Sequence, residues 1–419
     1  NNMSYRLTID IDPQGERWAM LLDGNDMPLF YPTLYNTTNL RNAGKATSTQ
    51  ELHLTAIKIL HESCDIQGIK LTERIRSKNF LTTGELDGLS DACRQKKRGV
   101  KQSSVVSLKN GHAHPMVKVN STTHYTYLRC IAAYLKWLCE ILLGTERFTA
   151  EANRAIEALV EGIRARGVTG ASRAGDDDTL RGMTQSQETK LFQILQPGSD
   201  MNPFTDAGVQ VRNYVLAKLT ALTGSRGGEI LNARTSDIDW EAGTLSIVRR
   251  ADSKQDPRRK QPRVKTNQRV LPLTQETLTE IRTYIVHVRK HIPNAAAHSY
   301  LFVSHKSGPT QGQPISLSSL QALFATIRRT YPDLDISAHD LRHRWNWRYS
   351  ETMQHQQKIG FTEAEQLRNV LAGWSPQSKM GQRYNKAYIQ KKAYEAMLAV
   401  AQQRELGMEE LKKAKKTHG

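Results

Sequence analysis

Alternating apolar and polar positions near the N-terminus predict a pair of strands followed by a helix. Residues 5–12 alternate around Ile9 and Ile11, a turn signal follows, and residues 18–22 read as the returning strand. The apolar spacing then changes to a helical period between Thr47 and His61. The pattern predicts a small α+β domain over residues 1–93, whose role the sequence does not indicate.

Two longer helical patterns follow. Ser121 or Thr122 can cap the first helix and Thr149 the second. Their apolar faces consist of Leu128, Ile131, Leu135, Leu138 and Leu142 in the first helix, and Ile156, Leu159, Val160 and Ile163 in the second. Residues 167–181 are rich in Gly, Ser and Asp, have no apolar period, and are typical of an interdomain linker. A helical domain with its linkers is therefore expected over residues 94–182.

A capping-box signature at residues 184–187 opens a third domain with mixed patterns. The apolar periods predict helices over 187–195, 206–223, 274–291, 316–330 and 338–350, and short strands over 244–249 and 263–273. This domain is expected to cover residues 183–400, with a basic tail over 401–419. The predicted fold class is multidomain and mainly α with small β-sheets: an α+β domain, a helical domain, and a larger α+β domain.

The charge of the chain narrows the choice of partner. Lys and Arg outnumber Asp and Glu by 59 to 41, for a net charge of +18, and a chain this basic usually meets a polyanion, with nucleic acid as the first candidate. An anionic membrane is the alternative, but no apolar run approaches the roughly 18 residues of a membrane span. The four cysteines lack C-x-x-C spacing, so free thiols in a reducing cytoplasm are expected instead of a zinc site.

Two basic stretches are candidates for DNA contact, although a solvated loop would show the same composition. One is the linker after residue 93, and the other is a hairpin loop that could enter a DNA groove. The candidate residues are Lys96, Lys97, Arg98 and Lys101 in the linker, and Arg258, Arg259, Lys260 and Arg263 in the hairpin.

The segment 337–344 contains the first candidate chemistry. His339 and Arg342 are three residues apart, so on a helix they share one face. Imidazole exchanges protons near neutral pH, and guanidinium fits two phosphate oxygens, which suits a phosphate whose bond is made or broken. A solvated helix face can carry the same pair by chance. Arg226, at a Gly-flanked helix start, adds a second candidate anion site.

In chain order these residues belong to a longer series, which consists of Arg226, Lys265, His339, Arg342, Trp374 and Tyr384. This series resembles the catalytic set of the tyrosine recombinase family, which includes the phage integrases. Residues 223–231 resemble the family's first arginine box, residues 338–343 its second box, and residues 371–375 with 383–386 its C-terminal box. The resemblance covers roughly residues 184–400. The helical domain resembles the family's core-binding domain in placement and size, and the first domain corresponds to an arm-binding or accessory domain by position alone.

The series departs from the family pattern at three places that matter. The residues after Arg226 are Gly-Gly where the family has a bulkier pair, which leaves the local packing open but not the charge. Trp374 stands where most members have histidine, and an indole N–H can donate to a phosphate oxygen but cannot shuttle a proton. Tyr384 follows Trp374 by ten positions where nine is commoner, so Tyr388 remains an alternative nucleophile.

Three lysines are candidates for the general acid. Lys265 is preferred because the residues after it run into a strand, whereas Lys254 and Lys260 lie in a Pro-containing loop. Glu229 is expected to orient Arg226 or its helix instead of touching DNA.

The resemblance implies a site-specific recombinase that cleaves and rejoins DNA through a 3′-phosphotyrosyl intermediate, exchanging strands during integration or excision of a mobile element. Neither a metal nor a nucleotide cofactor is expected. The implied partners are double-stranded DNA with recombination sites, further copies of the chain in a tetramer, and an accessory DNA-bending protein, in the cytoplasm at the bacterial nucleoid. A type IB topoisomerase-like nicking-closing enzyme and a catalytically silent DNA-binding regulator are the alternatives.

Overall fold

The chain divides into two compact units, each with its own hydrophobic core. The computed structural model describes residues 4–95, 119–147, 149–167, 182–355 and 360–417. The units are Asn1–Ala171 and Ser172–Gly419. Both are mainly helical with a small antiparallel sheet, which confirms the predicted fold class. Within the described ranges, no helix is both long enough and apolar enough to cross a membrane.

The N-terminal unit begins with the predicted strand pair. Strands β1 (Arg6–Ile11) and β2 (Arg17–Leu22) pair antiparallel. Six helices follow: α1 (Phe30–Tyr35), α2 (Thr47–Ile66), α3 (Leu71–Arg76), α4 (Thr83–Arg94), α5 (Ser121–Arg147) and α6 (Ala150–Ala165). The Thr149 hydroxyl accepts from the Ala152 N–H at 3.2 Å, so the predicted cap of α6 is confirmed.

One core runs through the whole N-terminal unit. Ile57 and Leu60 of α2 are fully buried together with Ile131 and Leu135 of α5. A strand pair with one amphipathic helix buries little apolar surface alone, and the apolar face of α5 supplies the rest. The division expected at residue 93 therefore does not separate two cores, and the four-domain division of the chain stays a prediction.

In the described residues of the C-terminal unit, a three-stranded antiparallel sheet is combined with eight α-helices. The sheet order is β3 (Ile238–Asp239), β4 (Thr244–Ile247) and β5 (Arg269–Pro272). The helices are α7 (Gln185–Leu195), α8 (Ala207–Thr223), α9 (Gly227–Leu231), α10 (Gln275–Thr283), α11 (Leu317–Thr330), α12 (Ala338–His355), α13 (Phe361–Leu371) and α14 (Met380–Thr417). The capping box of α7 is confirmed, because Thr184 and Gln187 exchange hydrogen bonds at 2.9 and 3.2 Å.

The strands flanking the basic loop are shorter than predicted. β4 and β5 do pair as a hairpin, but residues 248–268 between them form a long irregular loop. Internal ion pairs of Asp256 with Arg258 (2.7 Å) and of Asp252 with Arg263 (2.6 Å) anchor this loop. Side-chain pairing therefore replaces the backbone ladder that the apolar alternation suggested.

The end of α8 brings the chain to the candidate site. Gly224 has a φ of 60°, and a Cβ there would lie 2.4 Å from the Trp345 side chain. Only glycine fits this left-handed turn with so close a neighbour. The turn directs the chain into Ser225 and Arg226, at the start of α9.

Candidate active site

Arg226 is the N-cap residue of α9. Its backbone N–H donates to Glu229 Oε2 at 3.1 Å, which fixes the residue against the first helical turn. The guanidinium lies 3.6 Å from Glu229 Oε1, beyond hydrogen-bond distance, and its buried Nη1 has no hydrogen-bond partner among the described residues. The sequence interpretation of Glu229 as an orienting residue agrees with these contacts.

Arg342 is buried in α12, with 1% of its surface exposed. Its guanidinium donates to the Gly224 carbonyl and, at 3.3 Å, to the Ala372 carbonyl. Burial, followed by repulsion from the neighbouring Arg226, lowers the pKa of Arg342 to about 10. The group therefore still carries its positive charge at neutral pH.

Three of the predicted residues line one cavity of about 320 Å³: Arg226, His339 and Arg342. His339 is exposed at the rim, whereas Arg342 is buried. Leu320 and Phe324 of α11 form an apolar wall of the same cavity. The cavity therefore presents two guanidinium groups and an imidazole to one ligand, which is the chemistry of an anion site.

Tyr384 and Trp374 form a buried aromatic pair beside this cavity. Their ring centroids are 5.7 Å apart with an interplanar angle of 14°, and the guanidinium carbon of Arg342 lies 5.0 Å from the indole ring. His343 lies 5.5 Å from the Tyr384 ring and 4.4 Å from His339. The buried Trp374 Nε1 has no hydrogen-bond partner in the part of the chain that the structure describes.

Tyr388, one turn further along α14, has different neighbours. Its ring faces Trp347 at 6.1 Å, and the Lys392 ammonium lies 5.8 Å from it. Burial raises the pKa of Tyr388, which disfavours the ionised form of its hydroxyl. The ring contacts therefore associate Tyr384, and not Tyr388, with Trp374 and Arg342.

Lys265 is exposed and does not line the cavity formed by the arginines. The loop that carries it is nevertheless attached to the site at the next two residues. The Thr266 hydroxyl donates to Glu229 Oε1 at 2.6 Å, and the Asn267 N–H donates to the Gly373 carbonyl at 2.8 Å. Lys254 and Lys260, the two alternatives, are also exposed.

A buried ion pair that sequence reasoning missed lies behind the site. Glu229 and Arg269 are 1% and 8% exposed, and Arg269 Nη2 donates to Glu229 Oε2 at 2.6 Å. Arg269 also donates to Thr266 at 2.9 Å and to Ser225 at 3.2 Å. Burial opposes ionisation of Glu229, but the Arg269 charge and the hydrogen bonds outweigh it and lower the pKa of Glu229. One signal was present in the sequence: an arginine on the same face of β5 as the buried Leu271.

Gly373 completes the packing around this ion pair. Its φ is 73°, and a Cβ would lie 2.6 Å from Arg269 Nη1 and 2.7 Å from Thr266 Cβ. A side chain here would therefore meet both strain and collision. The missing Cβ lets the segment leading to Trp374 rest directly on Arg269.

The predicted DNA-contact residues have different outcomes. Lys96, Lys97, Arg98 and Lys101 lie outside the described residues. Arg259 and Lys260 are exposed, and Arg263 is half-buried against Asp252.

Arg258 corrects the predicted set. Its side chain is buried and donates to Asp256 at 2.7 Å and to the carbonyls of Leu231 and Ile315, both at 2.9 Å. The guanidinium is satisfied inside the protein, so it is not available to DNA.

Comparison with known proteins relates part of the chain to one family. Residues 182–362 match the phage integrase family. A stretch of 96 residues is 33% identical to y4rF of Sinorhizobium fredii, named as an integrase/recombinase, and covers 23% of this chain and 19% of that relative. The family match contains Arg226, Lys265, His339 and Arg342 and ends before Trp374 and Tyr384.

Solved structures are similar at low sequence identity. The XerA recombinase shares 15% identity over 87% of this chain and 96% of its own, with a TM-score of 0.34. The XerH site-specific recombinase bound to palindromic difH substrate shares 13% identity over 82% of this chain and 95% of its own, with a TM-score of 0.41.

The Glu229–Arg269 pair gives the first prediction. Arg269→Met leaves a carboxylate buried without its counter-ion, which should lower the free energy of unfolding by about 3–5 kcal/mol at pH 7. In the wild type the lowered pKa of Glu229 means that its contribution is present above its ordinary value of 4.5 and lost as pH falls through the lower folded value. In the variant the bonds from Thr266 and the Arg226 N–H remain, but without the Arg269 charge burial weighs more and raises the pKa of Glu229 above its wild-type value, so the deficit should be smaller at pH 5 than at pH 7.

Urea unfolding at the two pH values measures this difference. Lys190→Met is the matched control, because it removes a cation from the solvent-exposed pair with Asp333 in the same unit and should change stability by about 1 kcal/mol or less. An equal deficit for Arg269→Met at both pH values would contradict the prediction.

Proposed function

We propose that this chain is a site-specific DNA recombinase of the integrase type, which cleaves and rejoins DNA through a covalent bond between Tyr384 and a 3′ phosphate. The observation that carries the proposal is the grouping of a buried arginine, a half-buried arginine and an indole around a buried tyrosine. Arg342 contacts Trp374, Trp374 stacks on Tyr384, and Arg226 lines the same cavity as Arg342.

Two buried donors point to the ligand. Arg226 Nη1 and Trp374 Nε1 have no hydrogen-bond partner within the described ranges. A buried donor without an acceptor is destabilising by roughly 1–3 kcal/mol, so such groups at a cavity call for an explanation. The non-bridging oxygens of a phosphodiester would satisfy both donors, and the arginines would neutralise the charge that develops on them.

The reaction then follows from the side chains. The Tyr384 hydroxyl attacks phosphorus once the arginines hold the phosphate and neutralise its charge. The Oη–P bond forms, the bond from phosphorus to the 5′ oxygen breaks, and Lys265 gives that oxygen a proton. His339 assists the removal of the tyrosine proton. The phosphotyrosyl bond conserves the energy of the cleaved bond, so rejoining needs neither ATP nor a metal ion.

The net charge of the chain and the exposed apolar surface of α14 indicate the partners. A net charge of +18 suits double-stranded DNA carrying specific sites. The side chains of Tyr394, Met397 and Val400 in α14 are 69%, 75% and 67% exposed, an apolar surface typical of a protein interface. We propose that α14 docks on a neighbouring copy in a tetramer, with an accessory DNA-bending protein assisting integration or excision of a mobile element.

Two other functions are compatible with the same residues. A topoisomerase-like enzyme would nick and close one duplex without exchanging strands between two. A silent regulator would bind DNA without cleaving it, but the complete set of catalytic residue types favours turnover. Covalent trapping on a nicked substrate separates both enzymes from the regulator, and joining of two duplexes separates the recombinase from the topoisomerase.

The second prediction tests the nucleophile. Tyr384→Phe should abolish covalent attachment to a nicked DNA substrate and leave DNA affinity nearly unchanged, because phosphate contacts dominate binding. Tyr388→Phe is the matched control and should retain attachment. Denaturing gel electrophoresis of the reaction measures the covalent complex. Persistence of that complex in Tyr384→Phe, with loss in Tyr388→Phe, would assign the nucleophile to Tyr388.

The third prediction tests the general acid. Lys265→Ala should cleave normal DNA slowly but cleave a substrate whose leaving 5′ oxygen is replaced by sulfur at close to the wild-type rate, because a thiolate leaves without a proton. Lys254→Ala, in the same loop, should behave as the wild type on both substrates. If sulfur rescues Lys254→Ala and not Lys265→Ala, the acid is Lys254.

The fourth prediction tests the assembly. Truncation after residue 392 removes the exposed apolar part of α14 and keeps Tyr384 and Tyr388. Half-site binding should persist, while pairing of two sites in native gels should weaken. Loss of the thermal unfolding transition of the C-terminal unit would instead show that this part of α14 stabilises its own subunit.

A further inference from the structure

A single buried amide holds the loop between Trp374 and α14. Asn369, near the end of α13, is 2% exposed. Its Nδ2 donates to the carbonyls of Pro376 at 3.0 Å and Ser378 at 2.9 Å, and its Oδ1 accepts from the Gly381 N–H at 3.1 Å. A carboxamide has two N–H donors, so both are used by this loop.

The same residue also holds Trp374. The Asn369 backbone carbonyl accepts from the Trp374 N–H at 2.7 Å. Residues on both sides of the loop are therefore attached to one point of α13. Tyr384 follows Gly381 by three positions in α14, so the clamped first turn sets the direction of its side chain.

Gly381 allows the helix to approach the clamp. A Cβ at this position would lie 2.8 Å from Asn369 Oδ1 and 2.4 Å from Glu365 Oε2. The Gly381 carbonyl also accepts from Arg368 Nη1 at 3.4 Å. The first turn of α14 is therefore seated on α13 by its backbone, without an intervening side chain.

We propose that Asn369 is a positioning residue for strand cleavage, which fixes the Tyr384 hydroxyl relative to the phosphate held by Trp374 and the arginines. The inference rests on the function proposed above and deepens it. Backbone hydrogen bonds tie Gly373 and Trp374 to other segments, but residues 375–379 belong to no helix or strand, so no regular ladder defines the path of this part of the loop. The three side-chain bonds of Asn369 supply that definition.

Asn369→Asp tests the role at nearly constant volume. The substitution removes both N–H donors and places a carboxylate against the carbonyls of Pro376 and Ser378. Misplacement of a reacting group by about 1 Å can lower a rate about 100-fold, so we expect covalent-complex formation at saturating DNA to slow by at least about tenfold. Half-site Kd should stay within about twofold, because the phosphate contacts remain.

Asn202 provides a matched control. It clamps the loop between α7 and α8 with the same pattern: Nδ2 donates to the Leu195 and Gln196 carbonyls at 3.1 and 3.3 Å, and Oδ1 accepts from the Phe204 N–H at 3.1 Å. Asn202→Asp makes the same chemical change in a loop whose hydrogen bonds, within the described residues, do not reach a proposed catalytic residue. It should lower the melting temperature without slowing cleavage.

Gly381→Ala disturbs the same contacts from the side of α14. It should likewise slow cleavage and leave the half-site Kd nearly unchanged. Single-turnover cleavage of a nicked substrate, half-site binding and thermal unfolding are measured for the wild type and the three variants. Wild-type cleavage rates in both Asn369→Asp and Gly381→Ala, equal losses of rate and affinity, or unfolding of both variants would overturn the positioning role. Absence of covalent complex in the wild type would instead contradict the proposed function, and the role of Asn369 with it.

Discussion

The site depends on one buried ion pair, because Glu229 and Arg269 join segments that are far apart in the chain. Glu229 lies in the first turn of α9 and holds the backbone of Arg226. Arg269 begins β5, and the Gly373 turn packs against its guanidinium. Thr266 links the loop of Lys265 to the same carboxylate. A charge pair at this depth makes the fold sensitive to substitution, because removing either partner leaves the other charge buried and unpaired in a medium of low polarity.

Arg342 shows that a proposed catalytic side chain can also be structural. Its guanidinium donates to the Gly224 carbonyl at the end of α8 and to the Ala372 carbonyl beside Trp374. These two bonds fix the plane of the group before any ligand arrives. Preorganised donors of this kind need no rearrangement during the reaction, which makes their electrostatic effect on a transition state large. The same bonds hold together the two glycine turns that border the site.

Apolar periodicity predicted several helices well, since α5 packs an apolar face on the core of the N-terminal unit, and α8 and α11 pack theirs on the core of the C-terminal unit. The order of the polar residues along the chain identified the candidate site residues. The local sequence pattern could not predict that Arg258 is buried and Arg259 exposed. Burial of Arg258 depends on the side chain of Asp256 and on the carbonyl of Ile315, which is 57 positions away in the chain. Burial of Arg269 by Glu229 and the clamp of Asn369 are missed for the same reason: each is defined by contacts that only the folded chain creates.

The surroundings of Arg342 tie ligand binding to folding. Other buried arginines, such as Arg258 and Arg269, lie against carboxylates, whereas Arg342 forms no ion pair within the described ranges. Burial, followed by repulsion from Arg226, destabilises this cation and lowers its pKa. An anion between the two guanidinium groups would relieve the repulsion. By thermodynamic linkage such a ligand would stabilise the unit that binds it, and under the proposed function a DNA phosphate would complete the charge balance of the protein's own interior.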